Sequence, residues 1–167
     1  MYTAKKLKKF EELRKIVSSL KKGGKKVVQC HGIFDIIHPG IIKHVESAKR
    51  QGDVLIVTVV KDKDVRKGPG YPIFTENLRA ENIASLCHVD YVSVVDDCVP
   101  FECVKILKPD IFARGQDYND RDQDILQKIE QAEDSWKEAG CKIHYTPGKV
   151  SSINIINQYH SLCPHAQ

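Results

Sequence analysis

Residues 54–60 read Val-Leu-Ile-Val-Thr-Val-Val, a nearly continuous run of β-branched side chains. Such a run is typical of a parallel strand whose two faces are both covered by helices. Shorter apolar runs occur on both sides of it in the chain, at residues 26–30, 91–95, 110–113 and 142–145. The chain is therefore predicted to contain five strands.

Helical patterns separate these strands. Residues 5–22 place five apolar side chains three or four positions apart, on one helical face: Leu7, Phe10, Leu13, Val17 and Leu20. Further helices are predicted over 40–51, 76–87 with Thr75 as its cap, 100–108, 120–139 and 151–162. Strands and helices that alternate at this spacing predict right-handed βαβ units. The expected fold class is α/β, a Rossmann-like doubly wound parallel sheet of five strands with helices on both faces.

The length of 167 residues suits a single domain. We expect an N-terminal helix over 1–24 and a core over about 25–162. The sequence has no apolar run long enough to span a membrane, and no apolar segment follows the basic N-terminus as in a secretory signal. The expected location is the cytoplasm.

Charge and cysteine content narrow the function classes. The net charge is +4, and eleven lysines fall within residues 1–50. A basic arm of this kind can bind nucleic acid or anionic lipid. Glu11 and Glu12 interrupt the basic run and aromatic residues are sparse, which favours the solvated face of an amphipathic helix; we expect neither a nucleic-acid nor a membrane partner.

The six cysteines form no Cys-x-x-Cys pair, so buried thiols are expected rather than disulfides or zinc sites.

Ligands of doubly wound sheets bind beyond the carboxyl ends of the strands. The first predicted strand is followed by residues 31–40, a glycine-containing turn that leads into a helix with Pro39 near its first position. Unpaired N–H groups and the helix dipole make such a terminus an anion site. His38 adds a hydrogen-bond donor beside that site.

The other strands are also followed by polar residues. They are Lys61, Lys63, Arg66 and Lys67 after the second strand, Arg114, Gly115 and Asp117 after the fourth, and Ser151 and Ser152 after the fifth. Each has a simpler interpretation by itself: a cap for His38 and the serines, an Arg114–Asp117 pair, and a solvated face for the lysines. Their shared edge favours a polyphosphate site. Neither a Walker A motif nor G-x-G-x-x-G is present, which excludes a P-loop protein and an ordinary dinucleotide-binding protein.

The stretch Gly32-x-Phe34-Asp35-x-x-His38-x-Gly40 resembles the G-x-F-D-x-x-H-x-G-H signature of the cytidylyltransferase-like nucleotidyltransferases. The similarity continues through further segments, among them Lys67-Gly68-Pro69, Arg79, Arg114-Gly115-x-Asp117-Tyr118 and Ser151-Ser152-x-Asn154. It covers roughly residues 10–160. Within the superfamily the pattern is most similar to the nucleotidyltransferase domains of bifunctional ADP-heptose synthases and, more distantly, to glycerol-3-phosphate cytidylyltransferases.

The resemblance implies an enzyme that transfers CMP or AMP from a nucleoside triphosphate to a phosphorylated sugar, polyol or related acceptor, with release of pyrophosphate. It implies catalytic roles for His38, Lys67 and Arg79. Nucleotide contacts are implied for Gly32, Ile33, Phe34, Gly40, Ile41, Arg114, Gly115, Asp117, Ser151 and Ser152. Substrate contacts are implied for Asp35, Lys63 and Arg66, with Asp35 also a candidate Mg²⁺ ligand. The expected partners are a nucleoside triphosphate, a phosphorylated small-molecule acceptor and a second copy of the chain.

One departure from the signature bears on activity. Ile41 stands where the family has its second histidine, so a hydrogen-bond donor is missing at the phosphate end of the site. Two interpretations follow: a pocket retuned for another acceptor, with Lys63, Arg66 or His44 covering the charge, or a nucleotide-binding protein with little turnover. An interaction or nucleic-acid module built on the basic N-terminal helix is the third alternative.

Overall fold

The structure is a computed structural model that describes residues 3–96, 101–115, 123–138 and 140–146, without the side chains of 123–130. Five parallel strands form one sheet in the order β3-β2-β1-β4-β5. They are β1 (Val27–Gly32), β2 (Val54–Val60), β3 (Tyr91–Val95), β4 (Ile111–Gly115) and β5 (Lys142–Thr146). The predicted α/β fold class is confirmed. The predicted helix over 151–162 lies outside the described residues.

Within the described ranges, five helices accompany the sheet: α1 (Phe10–Lys22), α2 (Pro39–Lys49), α3 (Glu76–Ala84), α4 (Phe101–Leu107) and α5 (Gln123–Glu138). Short 3₁₀ turns occur at Thr3–Lys5 and Asp62–Asp64. Thr75 is at the N-cap position of α3, as predicted, but its side chain makes no capping hydrogen bond. No described helix is long and apolar enough to cross a bilayer. The cytoplasmic location stays a prediction.

The prediction of a helix from residue 5 is wrong for its first turn. Leu7 forms a parallel bridge with Val92 at the outer edge of β3. The backbone N–H of Lys8 donates to Val92 O at 2.9 Å, and the N–H of Val92 donates to Lys6 O at 2.9 Å. Residues 6–8 therefore do not continue the helix, because pairing with a free strand edge satisfies the Lys6 carbonyl and the Lys8 N–H.

Helices cover both faces of the sheet. On one face, Val28 and Cys30 of β1 join an apolar cluster with residues of α2 and α3, among them Val45 and Ile83. On the other face, Leu13 and Val17 of α1 pack with Val27, Ile56 and Leu107. Farther along that face, Phe112 and Trp136 meet with ring centroids 5.0 Å apart, beside residues of α4. Burial on both sides explains why the strands are so uniformly β-branched.

Aspartates hold the amino ends of the strands. The carboxylate of Asp53 accepts a hydrogen bond from the Lys26 N–H at 2.8 Å. The carboxylate of Asp110 accepts one from the Val27 N–H at 2.8 Å, and that of Asp90 accepts one from the Leu55 N–H at 2.7 Å. The central strand β1 lies between β2 and β4. The order in which strands are added to the sheet reverses its direction there, and the loops that follow these strands emerge at their carboxyl ends. Ligand sites of open α/β sheets lie at such a point.

Candidate functional site

The loop after β1 ends at His38, the N-cap of α2. The Gly40 N–H donates to His38 Nδ1 at 3.2 Å, and Pro39 occupies the first turn. Burial, and next the positive charge of Lys67, lower the pKa of His38. The imidazole is therefore neutral at neutral pH. Since Nδ1 accepts a hydrogen bond, the ring carries its one proton on Nε2 and can donate it to a ligand.

Gly32, Ile33 and Phe34 form the backbone that leads to this cap. Phe34 adopts a left-handed φ of 52° and its ring is buried. A Cβ on Gly32 would lie 3.3 Å from that ring, so a larger residue at position 32 would press on Phe34. The local geometry explains a glycine here, and the nucleotide contacts of Gly32, Ile33, Phe34 and Gly40 stay predictions.

Asp35 joins the loop after β1 to the loop after β2. Its side chain is 3% exposed, and its two carboxylate oxygens accept hydrogen bonds from the N–H groups of Ile73 and Phe74, each at 2.9 Å. Among residues 3–96, 101–115 and 131–138, and in the last described strand, no cluster of His, Cys, Asp and Glu is arranged to hold a metal ion. The role of Asp35 as a Mg²⁺ or substrate ligand stays a prediction.

Arg79 is fully buried in α3. Its guanidinium donates to Phe74 O at 3.0 Å, Val60 O at 2.6 Å, Asp62 Oδ1 at 2.7 Å, and Ile33 O. A direct contact with substrate would require the guanidinium to exchange one of these acceptors. Its predicted catalytic role stays a prediction.

Lys67 lies in the same region, half-buried, with Nζ 5.9 Å from the centroid of the Tyr71 ring. Burial is the main cause that lowers the pKa of Lys67; the Asp35 carboxylate opposes this and the Arg79 guanidinium adds to it. The charges of Asp35 and Arg79 thus act on Lys67, and the charge of Lys67 acts on His38. The structure places these four side chains in the same region of the fold.

Lys63 is farther along the edge of the sheet and is paired. Its Nζ lies 2.7 Å from Asp96 Oδ1, while Lys61 Nζ lies 2.5 Å from Asp96 Oδ2. The hydrogen bond to Asp96 raises the pKa of Lys63. Arg66 is exposed on the same loop. Sequence reasoning missed Asp96, since nothing in the chain near it indicates that two lysines converge there.

Arg114 occupies the carboxyl end of β4, on the α5 side. Its Nη1 lies 2.7 Å from Glu133 Oε1, and the Tyr145 hydroxyl donates to Glu133 Oε2 at 2.9 Å. Arg114 and Glu133 are both buried. Sequence reasoning considered Asp117 as the partner of Arg114 and missed Glu133. Asp117, Ser151 and Ser152 lie outside the described residues; the nucleotide contacts of Arg114 and Gly115 stay predictions.

Ile41 and His44 lie on the inner side of α2. Ile41 is partly buried and packs against the apolar cluster of α2, α3 and the sheet. His44 Nδ1 is 2.6 Å from Thr146 Oγ1, and the Thr146 hydroxyl donates to Arg114 O at 3.3 Å. Burial, and next the charge of His144, lower the pKa of His44 to about 4. His44 is thus a neutral link between α2 and β5 at neutral pH.

Comparisons with known proteins agree with this fold. A family model described as cytidylyltransferase-like matches residues 30–159. The bifunctional protein HldE of Campylobacter jejuni subsp. jejuni serotype O:6 is 44% identical over 131 residues, which is 75% of this chain and 28% of that protein. The HldE protein of Aliarcobacter butzleri is 40% identical over 128 residues, 74% of this chain and 27% of its own length. The chain thus spans little more than a quarter of these relatives.

Two solved structures are also similar. A lipopolysaccharide core biosynthesis protein from Thermoplasma volcanium matches with a TM-score of 0.60 and 31% identity, covering 76% of this chain and all of that one. A pantoate-beta-alanine ligase from Francisella tularensis matches with a TM-score of 0.64 over 95% of this chain and 79% of that one. At 15% identity, the second likeness concerns the fold alone.

Proposed function

The chain belongs to the cytidylyltransferase-like family of nucleotidyltransferases, and from that premise we propose that it transfers CMP or AMP from a nucleoside triphosphate to a phosphorylated acceptor. An acceptor phosphate oxygen attacks the α-phosphorus. A new P–O bond forms, the bond between the α-phosphorus and its bridging oxygen breaks, and pyrophosphate leaves with that oxygen. The observation that carries the proposal is the neutral His38 ring, with its donor on Nε2, at the α2 N-terminus beside Lys67.

The chemistry suits these groups. A phosphate nucleophile is already ionised at neutral pH, so the reaction needs positioning and charge stabilisation more than a strong base. In the proposed mechanism, His38 donates its Nε2–H to a phosphate oxygen and keeps its proton. Lys67 offsets the negative charge that grows as pyrophosphate departs. The dipole of α2 adds a fixed positive potential at the N-terminus of that helix.

Mg²⁺ is proposed as part of the nucleotide substrate. Among the described residues no cluster of His, Cys, Asp and Glu is arranged to hold a metal ion, and the Asp35 carboxylate is nearly inaccessible to solvent, with each oxygen accepting a backbone N–H bond. Mg²⁺ is commonly held through substrate phosphates with few protein ligands. The step above therefore relies on this chain's own residues.

Among acceptors, a sugar phosphate is favoured. The likeness to a protein of lipopolysaccharide core biosynthesis supports that class over polyol phosphates. Ile41 favours the second candidate, a nucleotide-binding protein with little turnover, because an isoleucine packed on the core supplies no donor.

We also propose that the protein is a homodimer, by analogy with the family. Light scattering at assay concentration measures the mass directly, and the mass of a monomer would contradict the proposal.

The experiment that tests the function is a matrix of CTP, ATP, GTP and UTP, each with Mg²⁺, against phosphorylated sugars and alcohols. Pyrophosphate release and product mass are the two readouts. We expect release only with an acceptor present, and a product mass equal to the acceptor plus CMP or AMP less water. Calorimetric binding without release in any combination would favour the binding protein. No binding of any triphosphate at millimolar concentration would overturn the site.

A further inference from the structure

We propose that Asp35 and Arg79 are positioning residues: together they clamp the loop 61–75 onto the loop 33–38, so that Lys67 is held beside His38, and neither side chain touches nucleotide, acceptor or metal. The inference rests on the proposed function, because it explains how that site is assembled. It differs from the roles that the family resemblance implies for both residues.

Asp35 supplies one half of the clamp. Its carboxylate is nearly inaccessible to solvent, and its two oxygens are used in two directed bonds to the N–H groups of Ile73 and Phe74. Hydrogen bonds between a carboxylate and backbone N–H groups are among the stronger ones in proteins. They fix the C-terminal end of the loop 61–75, directly before α3 begins.

Arg79 supplies the other half. Its planar fork spans three segments at once: Ile33 O in the loop after β1, Val60 O at the end of β2, and Phe74 O with Asp62 Oδ1 at the two ends of the loop 61–75. Asp62 is itself held, because its N–H donates to Glu76 Oε2 at 2.8 Å. A buried guanidinium needs such partners, since an unpaired buried charge is strongly unfavourable.

The two residues meet at one peptide segment. The Phe74 N–H donates to the Asp35 carboxylate, and the Phe74 carbonyl oxygen accepts a hydrogen bond from Arg79. Arg79 also donates to the carbonyl oxygen of Ile33, two residues before Asp35. The contacts close a ring through both loops. Lys67 lies within the loop whose ends are tied in this way. The Asp35 carboxylate raises the pKa of Lys67 and the Arg79 guanidinium lowers it. The effects of the two clamp residues on the Lys67 pKa therefore oppose each other, and their main effect is to hold the loop in place.

The fork geometry gives a sharp test at position 79. A lysine keeps the charge, but a single ammonium cannot reach acceptors on three segments. We expect Arg79→Lys to lose about as much kcat as Arg79→Met, on the order of 10² or more, with KM for the nucleoside triphosphate changed less than kcat. Arg50→Lys, at an exposed arginine beyond the end of α2, is the matched control and should keep wild-type kcat.

A substituted Arg79 leaves the Asp62 carboxylate without its guanidinium partner, and this alone can weaken folding. The double variant Arg79→Met with Asp62→Asn removes both charges and provides a second measurement. It should show the same loss of kcat as Arg79→Met. Near-wild-type kcat in Arg79→Lys, with KM for the triphosphate raised, would mean a direct contact with the nucleotide and would overturn the proposal.

Asp35→Asn tests the other half by a readout that needs no turnover. The amide has one acceptor oxygen in place of two, so we expect hydrogen exchange at the Ile73 and Phe74 amides to be at least about tenfold faster. Trypsin cleavage after Lys67 should also be faster. Asp53→Asn is the control, since that carboxylate accepts a backbone N–H at the opposite edge of the sheet and should leave both readouts unchanged.

The Mg²⁺ dependence separates positioning from metal binding. In Asp35→Asn, the Mg²⁺ concentration for half-maximal turnover should match that of the wild type, while kcat falls. A raised Mg²⁺ requirement with unchanged exchange at Ile73 and Phe74 would make Asp35 a metal ligand and overturn the inference. If the wild-type chain releases no pyrophosphate with any substrate pair, the proposed function fails by itself, and exchange and proteolysis still decide whether the clamp exists.

Discussion

His38 Nδ1 and the backbone N–H of Gly40 are joined by a hydrogen bond of 3.2 Å. Through this bond Nδ1 caps α2, which leaves the ring proton on Nε2, and we propose that this N–H donates to a ligand. Because the two nitrogens have separate tasks, the structural and catalytic contributions of this histidine can be measured separately.

We predict that His38→Asn keeps the fold and loses turnover. Asparagine is a favoured N-cap whose carbonyl can accept from the Gly40 N–H, but it has no N–H at the reach of Nε2. Turnover should fall by about 10²–10³, the usual loss for one donor to a developing charge. His38→Ala should lose the cap as well, and with it about 1 kcal/mol of unfolding free energy. Urea denaturation and pyrophosphate release measure the two effects; normal turnover with lowered stability in His38→Asn would make the residue structural.

We predict that Lys67→Met is more stable than the wild type at pH 7 but inactive. Burial lowers the pKa of Lys67 from 10.5, so the fold disfavours the charged form. Between the lowered pKa and 10.5 the unfolded chain binds more protons, and the stability of the wild type therefore rises with pH in that window. The advantage of Lys67→Met should shrink over the same window. Lys105→Met, at an exposed lysine of α4, is the control and should show neither effect; a less stable Lys67→Met would contradict the prediction.

Ile41→His tests whether the departure from the family signature is a loss or an adaptation. Ile41 packs against the apolar core cluster, so a polar ring there gives up apolar contacts in the first turns of α2. We expect lower stability and no gain in pyrophosphate release. A tenfold or larger gain would mean that the site had lost a donor that histidine restores, with up to about 3 kcal/mol of transition-state stabilisation to recover.

We predict that the protein loses stability in mild acid through His44. Its pKa is lowered from 6.5 to about 4, so the unfolded chain binds more protons between these values. The stabilisation is complete above pH 6.5 and is lost as the pH falls towards 4, amounting to about 3 kcal/mol. His44→Asn keeps a donor for Thr146 without a titrating ring, so its denaturation midpoint should change less over this range. The same pH dependence in wild type and variant would assign the acid sensitivity to other groups.

The strands were predictable because their signal is local. The run at 54–60 is β-branched along its whole length, and the structure has β2 over Val54–Val60. The bridge between Leu7 and Val92 was not predictable, since its two halves are 85 positions apart. Leu7 also shares the helical spacing of Phe10, so the periodicity extends three residues beyond the helix that forms.

The residues of the candidate site show the same difference between local features, which the sequence predicts, and long-range contacts, which it does not. His38 and Lys67 were predicted as neighbours because motif and strand order place their loops on one edge, and the charge of Lys67 is one of the causes that lower the pKa of His38. The bonds of Asp35 and Arg79 were out of reach, because their acceptors and donors are mostly backbone groups. Every residue carries such groups, so no sequence pattern shows which ones a side chain will meet.

The bridge at Leu7 has a consequence for colloidal behaviour. A free β3 would present unpaired N–H and C=O groups as a template on which a strand from another molecule could add. The segment 6–8 occupies that template from within the same chain, through the bonds of Lys8 N and Lys6 O to Val92. The basic residues around it, among them Lys5 and Lys9, further repel an approaching copy of equal charge. A short N-terminal stretch thereby protects one side of the sheet against edge-to-edge aggregation.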